Sequence, residues 1–252
     1  MKRRWKLYSR VIRELIAEGK NDRIAAALAL EGYRRPPGGD RVHDDIVTLI
    51  KTERGLEGAS LHPEKCLRLR EILGLSLKEV WRRFQEPQVR SAALDAVASA
   101  ENVEPEEEIN LPKDYDRAVT LRAKIIADTA EKLGDEVILV GYSTHIAREL
   151  LDRGILIQIV DEDPRLRVER NIKFCESVLL STGMVLSNGS LRRFLASHKG
   201  PVMLYSQSCP HLAAVLTRQG VVDAAVVEEF PYHFSPGGEC KLRVYEPENS
   251  TR

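Results

Sequence analysis

The sequence predicts an α/β protein whose second half is built on a doubly wound parallel sheet, preceded by a smaller α+β domain. Three observations favour this fold. After residue 101, strand-length apolar runs alternate with helical runs, these strands are apolar throughout, and an acidic segment with two prolines precedes them. Strands buried on both faces and separated by helices are typical of parallel sheets. We therefore expect a small α+β domain at 1–101 and an α/β domain at 102–252.

The first half predicts helices and one hairpin. YSRVIRELIAEGK carries four aliphatic residues on one helical face, and Gly19 should end that helix. The run IAAALALEGY is compatible with a helix or with a buried strand. Alternation in DDIVTLIKTERGLEGASLH predicts two strands around ERG. Short helices should follow in HPEKCLRLREILGLSLKEVWRRF and in the alanine-rich EPQVRSAALDAVASAENV, where small residues permit close backbone approach.

The second half alternates helices and strands along its length. The acidic ENVEPEEEINLPKDYD before it predicts a solvated linker. The predicted helices are, in order, YDRAVTLRAKIIADTAEKLG, YSTHIARELLDRG, NGSLRRFLASHKG and CPHLAAVLTRQG. The predicted strands are EVILVG, ILIQIVDEDP, ESVLLSTG, PVMLYSQS and DAAVVEEF, and CKLRVYEPE could add an edge strand. Connections between such parallel strands should be right-handed crossovers.

Charge and composition limit the classes of partner. Lys and Arg together number 38, as do Asp and Glu, so a formal net charge of zero gives no global attraction to nucleic acid or an anionic membrane. No apolar run approaches the roughly 18 residues of a membrane span, and no apolar signal segment follows MKRRWK. The four cysteines lie far apart, which argues against a disulfide framework and a structural zinc site. We expect a soluble, cytoplasmic protein that binds a small molecule or a metal ion.

The candidate site lies at the strand ends. In an open parallel sheet, ligands bind beyond the carboxyl ends of the strands, where the strand order reverses. Helix starts at that edge expose N–H groups and the positive end of the helix dipole, so they favour anions. Plain helix capping by the same small polar residues is the alternative. The predicted ligand-binding residues are Gly141, Ser143, Thr144, Asp161, Ser181, Thr182, Asn188, Gly189, Ser190 and Ser208.

A transition-metal ion is a second expectation. Cys209 precedes Pro210 at a predicted helix start, where the helix terminus could lower the pKa of a thiol. His211 and His145 belong to loops on the same sheet edge, so Cys209, His211 and His145 could supply metal ligands, with His233 or a nearby acid. A buried structural cysteine with exposed histidines is the alternative for the same residues.

A nucleoside cofactor is a further alternative. Gly141 and Asp161 follow successive strands, where a glycine turn and a ribose-binding acid would sit. GYSTHIAR keeps only the first glycine of G-x-G-x-x-G, because Ser143 and Ile146 take the other two places, so NAD is disfavoured. S-adenosylmethionine stays open and would make the protein a transferase-type enzyme. The sequence contains neither a G-x-S-x-G elbow nor a Walker loop, so these motifs give no indication of a catalytic activity, and whether the protein is an enzyme stays open. In a third alternative the crevice is structural, and the protein is an assembly module that could form a homo-oligomer.

These stretches resemble a family of proteins assigned to heavy-metal chelation. In the second half, the resemblance lies in ILVGYSTHIARELLDRGILIQIVDEDP, LSTGMVLSNGSLRRFL and MLYSQSCPHLAAVLTRQGVVDAAV. In the first half it lies in LSLKEVWRRFQEPQVRSAALDAVAS. Members of that family pair an enolase N-terminal-like domain with a Rossmann-like domain related to pyridoxal-phosphate transferase folds. The resemblance therefore implies this two-domain architecture and heavy-metal chelation.

Overall fold

The computed structural model describes residues 4–34, 43–62, 68–141, 143–161, 176–230 and 240–247. Its helices are α1 (Arg4–Glu18), α2 (Leu77–Arg83), α3 (Pro87–Ala98), α4 (Tyr115–Glu131), α5 (Thr144–Asp152), α6 (Met184–Ser187), α7 (Leu191–Ser197) and α8 (Pro210–Arg218). Its strands are β1 (Ile24–Arg34), β2 (His43–Thr52), β3 (Glu57–His62), β4 (Glu107–Leu111), β5 (Glu136–Val140), β6 (Leu156–Val160), β7 (Val178–Thr182), β8 (Val202–Ser206), β9 (Ala224–Glu228) and β10 (Cys240–Tyr245). They form two sheets, so the α/β fold class is confirmed.

The smaller sheet is antiparallel and has the order β1-β2-β3. The alanine-rich run IAAALALEGY, whose sequence is compatible with a helix or a strand, forms most of β1. This strand pairs with β2 along almost its whole length. Pairing between strands therefore outweighs the intrinsic helix preference of alanine. α3 packs directly on β3, where a Cβ at Gly58 would overlap the backbone of Ala92 and Ala96. The small residues of α3 thus allow the close approach that the sequence predicts.

The larger sheet has seven strands in the order β4-β10-β9-β8-β7-β5-β6. Strands β5 to β9 pair in parallel, and β10 is antiparallel to both of its neighbours. Two expectations are therefore corrected. The acidic segment contains a strand, β4, and β10 lies inside the sheet rather than at its edge. Glu108 of β4 forms ion pairs with Lys241 and Arg243 of β10, so the charges that suggested a solvated linker instead hold two strands together.

Helices cover both faces of the larger sheet. α4 and α5 bury one face in a cluster with strand residues such as Leu139 and Leu180. The other face, with Ile138 and Leu179, packs against α1, α3, α7 and α8. This second cluster also includes Ile50 of the smaller sheet, so apolar packing is continuous across the predicted domain boundary. The division at residue 101 stays a prediction. Among the described residues, no helix is long and apolar enough to cross a membrane.

The strand order reverses beside β5. β6 lies on one side of β5, and β7, the next strand along the chain, lies on the other. The helix that follows β5 packs on one face of the sheet, whereas the helices that follow β7 and β8 pack on the opposite face. The loops after β5 and β7 therefore diverge at the carboxyl edge, which is where ligands bind in open parallel sheets.

Candidate functional site

Three predicted residues meet at this reversal of strand order. Gly141 and Asp161 follow the paired strands β5 and β6, and Thr182 ends β7 on the other side of β5. Gly141 has a φ of +85°, and a Cβ there would lie 3.2 Å from the Thr182 side chain. Glycine suits such a backbone conformation, and a side chain at this position would crowd Thr182. We call the space beside Gly141, Thr182 and the start of α5 the switch-point crevice.

The start of α5 has N–H groups without side-chain acceptors. Ser143 is the N-cap residue, but its side chain makes no capping hydrogen bond, and the first turn contains no acidic residue. None of the described side chains accepts from the N–H groups of Thr144–Ile146. Plain capping by Ser143, the alternative to ligand binding, is therefore not what this geometry shows. The first turn keeps N–H groups and a positive dipole end to offer an anion.

His145 lies in a cationic environment at the same helix start. Burial and the charge of Arg148 lower the pKa of His145, Arg122 lowers it further, and Asp116 opposes them. The Nε2 atom of His145 is buried and has no hydrogen-bond partner in the described part of the chain. The ring is thus held neutral beside two guanidinium groups, where an anion would be favoured.

A buried ion pair lies on the same face of the sheet. Arg122 of α4 donates from Nε to Oε2 of Glu228 at 2.9 Å and from Nη2 to Oε1 at 2.8 Å. Glu228 ends β9 and is fully buried, and the Arg122 side chain is 9% exposed. A two-bond contact of this kind fixes the plane of the guanidinium group as well as its position.

Three further groups donate to the carboxylate of Glu228. Gln207 donates from Nε2 at 2.7 Å, the Tyr205 hydroxyl at 3.3 Å and the Cys240 thiol at 2.8 Å. Burial and the adjacent Glu228 raise the pKa of Cys240 to about 12, so the thiol stays protonated as a donor. Both oxygens of Glu228 therefore accept hydrogen bonds, as a buried carboxylate requires.

Arg122, Glu228 and Tyr205 are not among the predicted site residues. One signal in the sequence was available for Arg122. Together with Ala118, Ile126 and Ala130 it recurs every four residues on the buried face of α4, where a charge is unusual. A charged residue at an apolar position of an amphipathic helix requires a buried partner, although the sequence does not name that partner.

The turn between β8 and α8 is occupied by contacts with the first half of the chain. β3 is an edge strand, and its outward backbone groups pair with this turn. The Cys209 N–H donates to Ala59 O at 2.9 Å, and the Leu61 N–H donates to Ser208 Oγ at 2.9 Å. Ser208 and Cys209 therefore complete the open edge of the smaller sheet.

Asp95 of α3 occupies the start of α8. Its fully buried carboxylate accepts from the N–H groups of Leu212 at 2.8 Å and Ala59 at 3.0 Å, and its Oδ2 lies 3.3 Å from His211 Nδ1. An anionic side chain thus already takes the anion position at this helix terminus. The expected drop in the pKa of Cys209 is also wrong, since burial and the charge of Asp95 raise that pKa well above its usual value.

The turn after α6 is held by its own polar groups. Asn188 Oδ1 accepts from the backbone N–H of Ser190 at 3.0 Å and from its hydroxyl at 2.7 Å, and Gly189 has a φ of +73°. Ser181 is buried and donates from its hydroxyl to the Thr182 carbonyl at 3.3 Å. Ligand contacts by Ser181, Asn188, Gly189 and Ser190 stay predictions.

The predicted metal ligands draw no support from the described part of the chain. No group of three or more His, Cys, Asp or Glu side chains among the described residues could hold a metal ion. His211 contacts Asp95, Cys209 is a fully buried protonated thiol, and His145 lies at the start of another helix. His233 lies outside the described residues. A transition-metal site at His145, Cys209 and His211 therefore stays a prediction without support from the described residues.

The chain is an α/β protein with a mostly parallel seven-stranded sheet and a small antiparallel sheet. It shares this fold with a protein of unknown function from the DUF364 family of Pyrococcus horikoshii, at 14% identity and a TM-score of 0.57, over 95% of this chain and 99% of that one. A second protein of that family and of unknown function, from Desulfitobacterium hafniense DCB-2, has 14% identity and a TM-score of 0.55, over 95% and 98% of the chains. No family model and no curated protein matches the sequence.

Proposed function

We propose that the protein binds a small anionic ligand in the switch-point crevice. The observation that carries the proposal is the difference between two helix starts at one sheet edge. Asp95 occupies the start of α8, whereas no described side chain accepts from the first turn of α5. Arg122 and Arg148 add positive charge around His145, and Gly141 follows the adjoining strand without a side chain. These features favour an anion bound to backbone N–H groups.

We also infer the finer description of the fold. The reversal of strand order and the helices on both faces support a Rossmann-like sheet, and β1–β3 with α3 support an enolase N-terminal-like unit at 1–101. A soluble, cytoplasmic protein remains our expectation. Heavy-metal chelation, which the resemblance implies, draws no support from the described residues.

Substitutions at Thr144 test anion binding. Thr144 is the first residue of α5 and is exposed. Thr144→Glu places a carboxylate at the helix start, so it should raise the free energy of unfolding by about 0.3–1 kcal/mol and, by competition, weaken anion binding on the order of tenfold. Thr144→Gln is the matched uncharged control, which should change stability by no more than about 0.5 kcal/mol and weaken anion binding less than Thr144→Glu does.

Isothermal titration with inorganic phosphate gives the affinities, with sodium chloride at matched ionic strength as the reference. Urea denaturation gives the free energies of unfolding. Opposite effects of Thr144→Glu on stability and on phosphate affinity would support the proposal. A wild-type protein that binds no phosphate, or a Thr144→Glu variant that binds it as well as wild type, would contradict it.

A nucleoside ligand is a second candidate. Val140 and Val160 are paired residues in β5 and β6, so Gly141 and Asp161 follow at neighbouring strand ends. An acidic residue at this position can accept hydrogen bonds from ribose hydroxyls, and a ligand could approach the backbone closely at Gly141. Thermal shift with S-adenosylmethionine and adenosine tests it, since a ligand at a hundred times its Kd stabilises by about 2.7 kcal/mol. Asp161→Asn should remove that shift, and the absence of any shift in wild type would reject this candidate.

A further inference from the structure

Arg122 has one unused side. Its Nε and Nη2 atoms donate to the two oxygens of Glu228, whereas Nη1 has no partner among the residues that the structure describes. The residue as a whole is 8% exposed, so Glu228 holds a largely buried guanidinium group while Nη1 keeps its donors. A guanidinium nitrogen without a partner in the protein can donate to an acceptor that a ligand brings.

Arg153 differs from Arg122, because all three of its side-chain nitrogens have acceptors. Its Nε donates to Glu149, its Nη1 to Asp128 and Glu131, and its Nη2 to Glu149 and the Lys124 carbonyl. All three nitrogens of Arg153 are thus engaged by its surroundings. The described surroundings of Arg122, by contrast, supply acceptors for Nε and Nη2 only.

The geometry of guanidinium fixes what the unused side can bind. The group is planar and has five N–H bonds in a rigid fork. Because Glu228 takes the edge formed by Nε and Nη2, the end formed by Nη1 and the second hydrogen of Nη2 stays available to two oxygens of one acceptor. Carboxylate and phosphate groups have that spacing of oxygens. Arg122 lies close enough to His145, at the start of α5, for its charge to lower the pKa of that histidine.

We propose that Arg122 binds an oxyanion, carboxylate or phosphate, carried by the ligand of the switch-point crevice, and that Glu228 positions Arg122 for this contact. The inference rests on the proposed function, because it names the side chain that holds the same anion. Tyr205 and Gln207 also donate to Glu228 and so keep its carboxylate in place. Arg122 contacts the ligand, and Glu228 is a positioning residue that acts through Arg122.

Titrations of inorganic phosphate and of succinate into the full chain test the proposal and separate the two kinds of oxyanion. Arg122→Lys keeps the charge but loses the fork, so affinity for the anion that binds should fall about tenfold or more. Arg122→Gln combined with Glu228→Gln keeps a hydrogen-bonded pair without buried charge, and it should abolish binding. Arg153→Gln is the matched control, which should lower Tm but leave affinity within about twofold of wild type.

A spectroscopic readout separates binding from a structural role. The Nε–H resonance of Arg122 should shift when the bound anion saturates the wild-type protein, and the Nε–H resonance of Arg153 should not. Circular dichroism shows whether each variant folds. If Arg122→Lys does not fold, the affinity of the double variant and the Arg122 Nε–H resonance of the wild-type protein test the role of Arg122. Anion binding that survives in the folded double variant, with no shift of the Arg122 resonance, would overturn the role of Arg122 while the proposed function stands. Absence of binding of both anions to wild type would overturn both.

Discussion

Substitution of Asp95 tests whether the two halves of the chain are joined as the structure shows. The carboxylate accepts from the Ala59 N–H of the smaller sheet and from the Leu212 N–H of α8, and it contacts His211. Asp95 is fully buried, so water cannot replace it as an acceptor. Removal of the Asp95 carboxylate therefore leaves two backbone N–H groups without an acceptor, Ala59 in the smaller sheet and Leu212 in α8.

The magnitude follows from those two donors. A buried N–H left without an acceptor costs about 1–3 kcal/mol, so Asp95→Ala should lower the free energy of unfolding by about 2–6 kcal/mol. Asp95→Asn keeps one oxygen but turns an amide toward the other donor, and it should cost about 1–3 kcal/mol. For a chain of this size each kcal/mol corresponds to roughly 2–4 °C in Tm, so Asp95→Ala should lower Tm by roughly 5–20 °C.

Urea denaturation followed by circular dichroism and tryptophan fluorescence measures both variants. Asp152→Asn is the control, because Asp152 is exposed at the end of α5 and its substitution should change stability by no more than about 0.5 kcal/mol. The midpoint should shift without a large change in the m-value, as for a loss of stability alone. If Asp95→Ala costs less than about 1 kcal/mol, the carboxylate does not satisfy the two donors, and the reasoning about the β8–α8 turn fails.

Three other predictions follow from buried groups. The Cys209 and Cys240 thiols, both with raised pKa values, should resist iodoacetamide at pH 8 in the folded protein and react in urea. Rapid modification of either of these two thiols in the native protein, located by peptide mapping, would contradict this. Burial lowers the pKa of His211, but the nearby Asp95 outweighs burial and raises this pKa above 6.5. The stabilisation that protonated His211 contributes is therefore present below pH 6.5, and it is lost as pH rises through the raised pKa. His211→Gln should flatten the fall in stability above pH 6.5, and an unchanged pH profile would show that another group titrates. Gly58→Ala should cost about 1–3 kcal/mol or more through overlap with Ala92 O, and a neutral effect in urea denaturation would show that α3 can move away from β3.

Much of the larger sheet could be predicted because its signals are local. Strands β5 to β9 are short apolar runs between helices that glycines end, and each of these features lies within a few residues. β4 could not be predicted in this way, since Glu107 and Glu108 resemble a solvated segment until Lys241 and Arg243 lie across from them. The alanine-rich β1 was undecided for the same reason, because its partner strand determines its state.

The residues of the candidate site also differ in whether local sequence signals could predict their place. The strand-end rule placed Gly141, Asp161 and Thr182 at one edge, which topology alone determines. The rule could not show that Asp95, more than a hundred residues earlier in the chain, occupies the start of α8. Nor could it pair Arg122 with Glu228, because a contact between distant segments leaves no periodic signal in either. Sequence therefore located the edge, and long-range contacts separated the occupied helix start from the open one.

Titration of isotopically labelled protein with inorganic phosphate tests the account most directly. The amide resonances of Thr144–Ile146 at the start of α5 should shift in a saturable way, and sodium chloride at the same ionic strength should not reproduce the change. The amide of Leu212, which already donates to Asp95, should stay in place. Equal shifts at both helix starts, or none at α5, would contradict the claim that the chain keeps one helix terminus open for an anion.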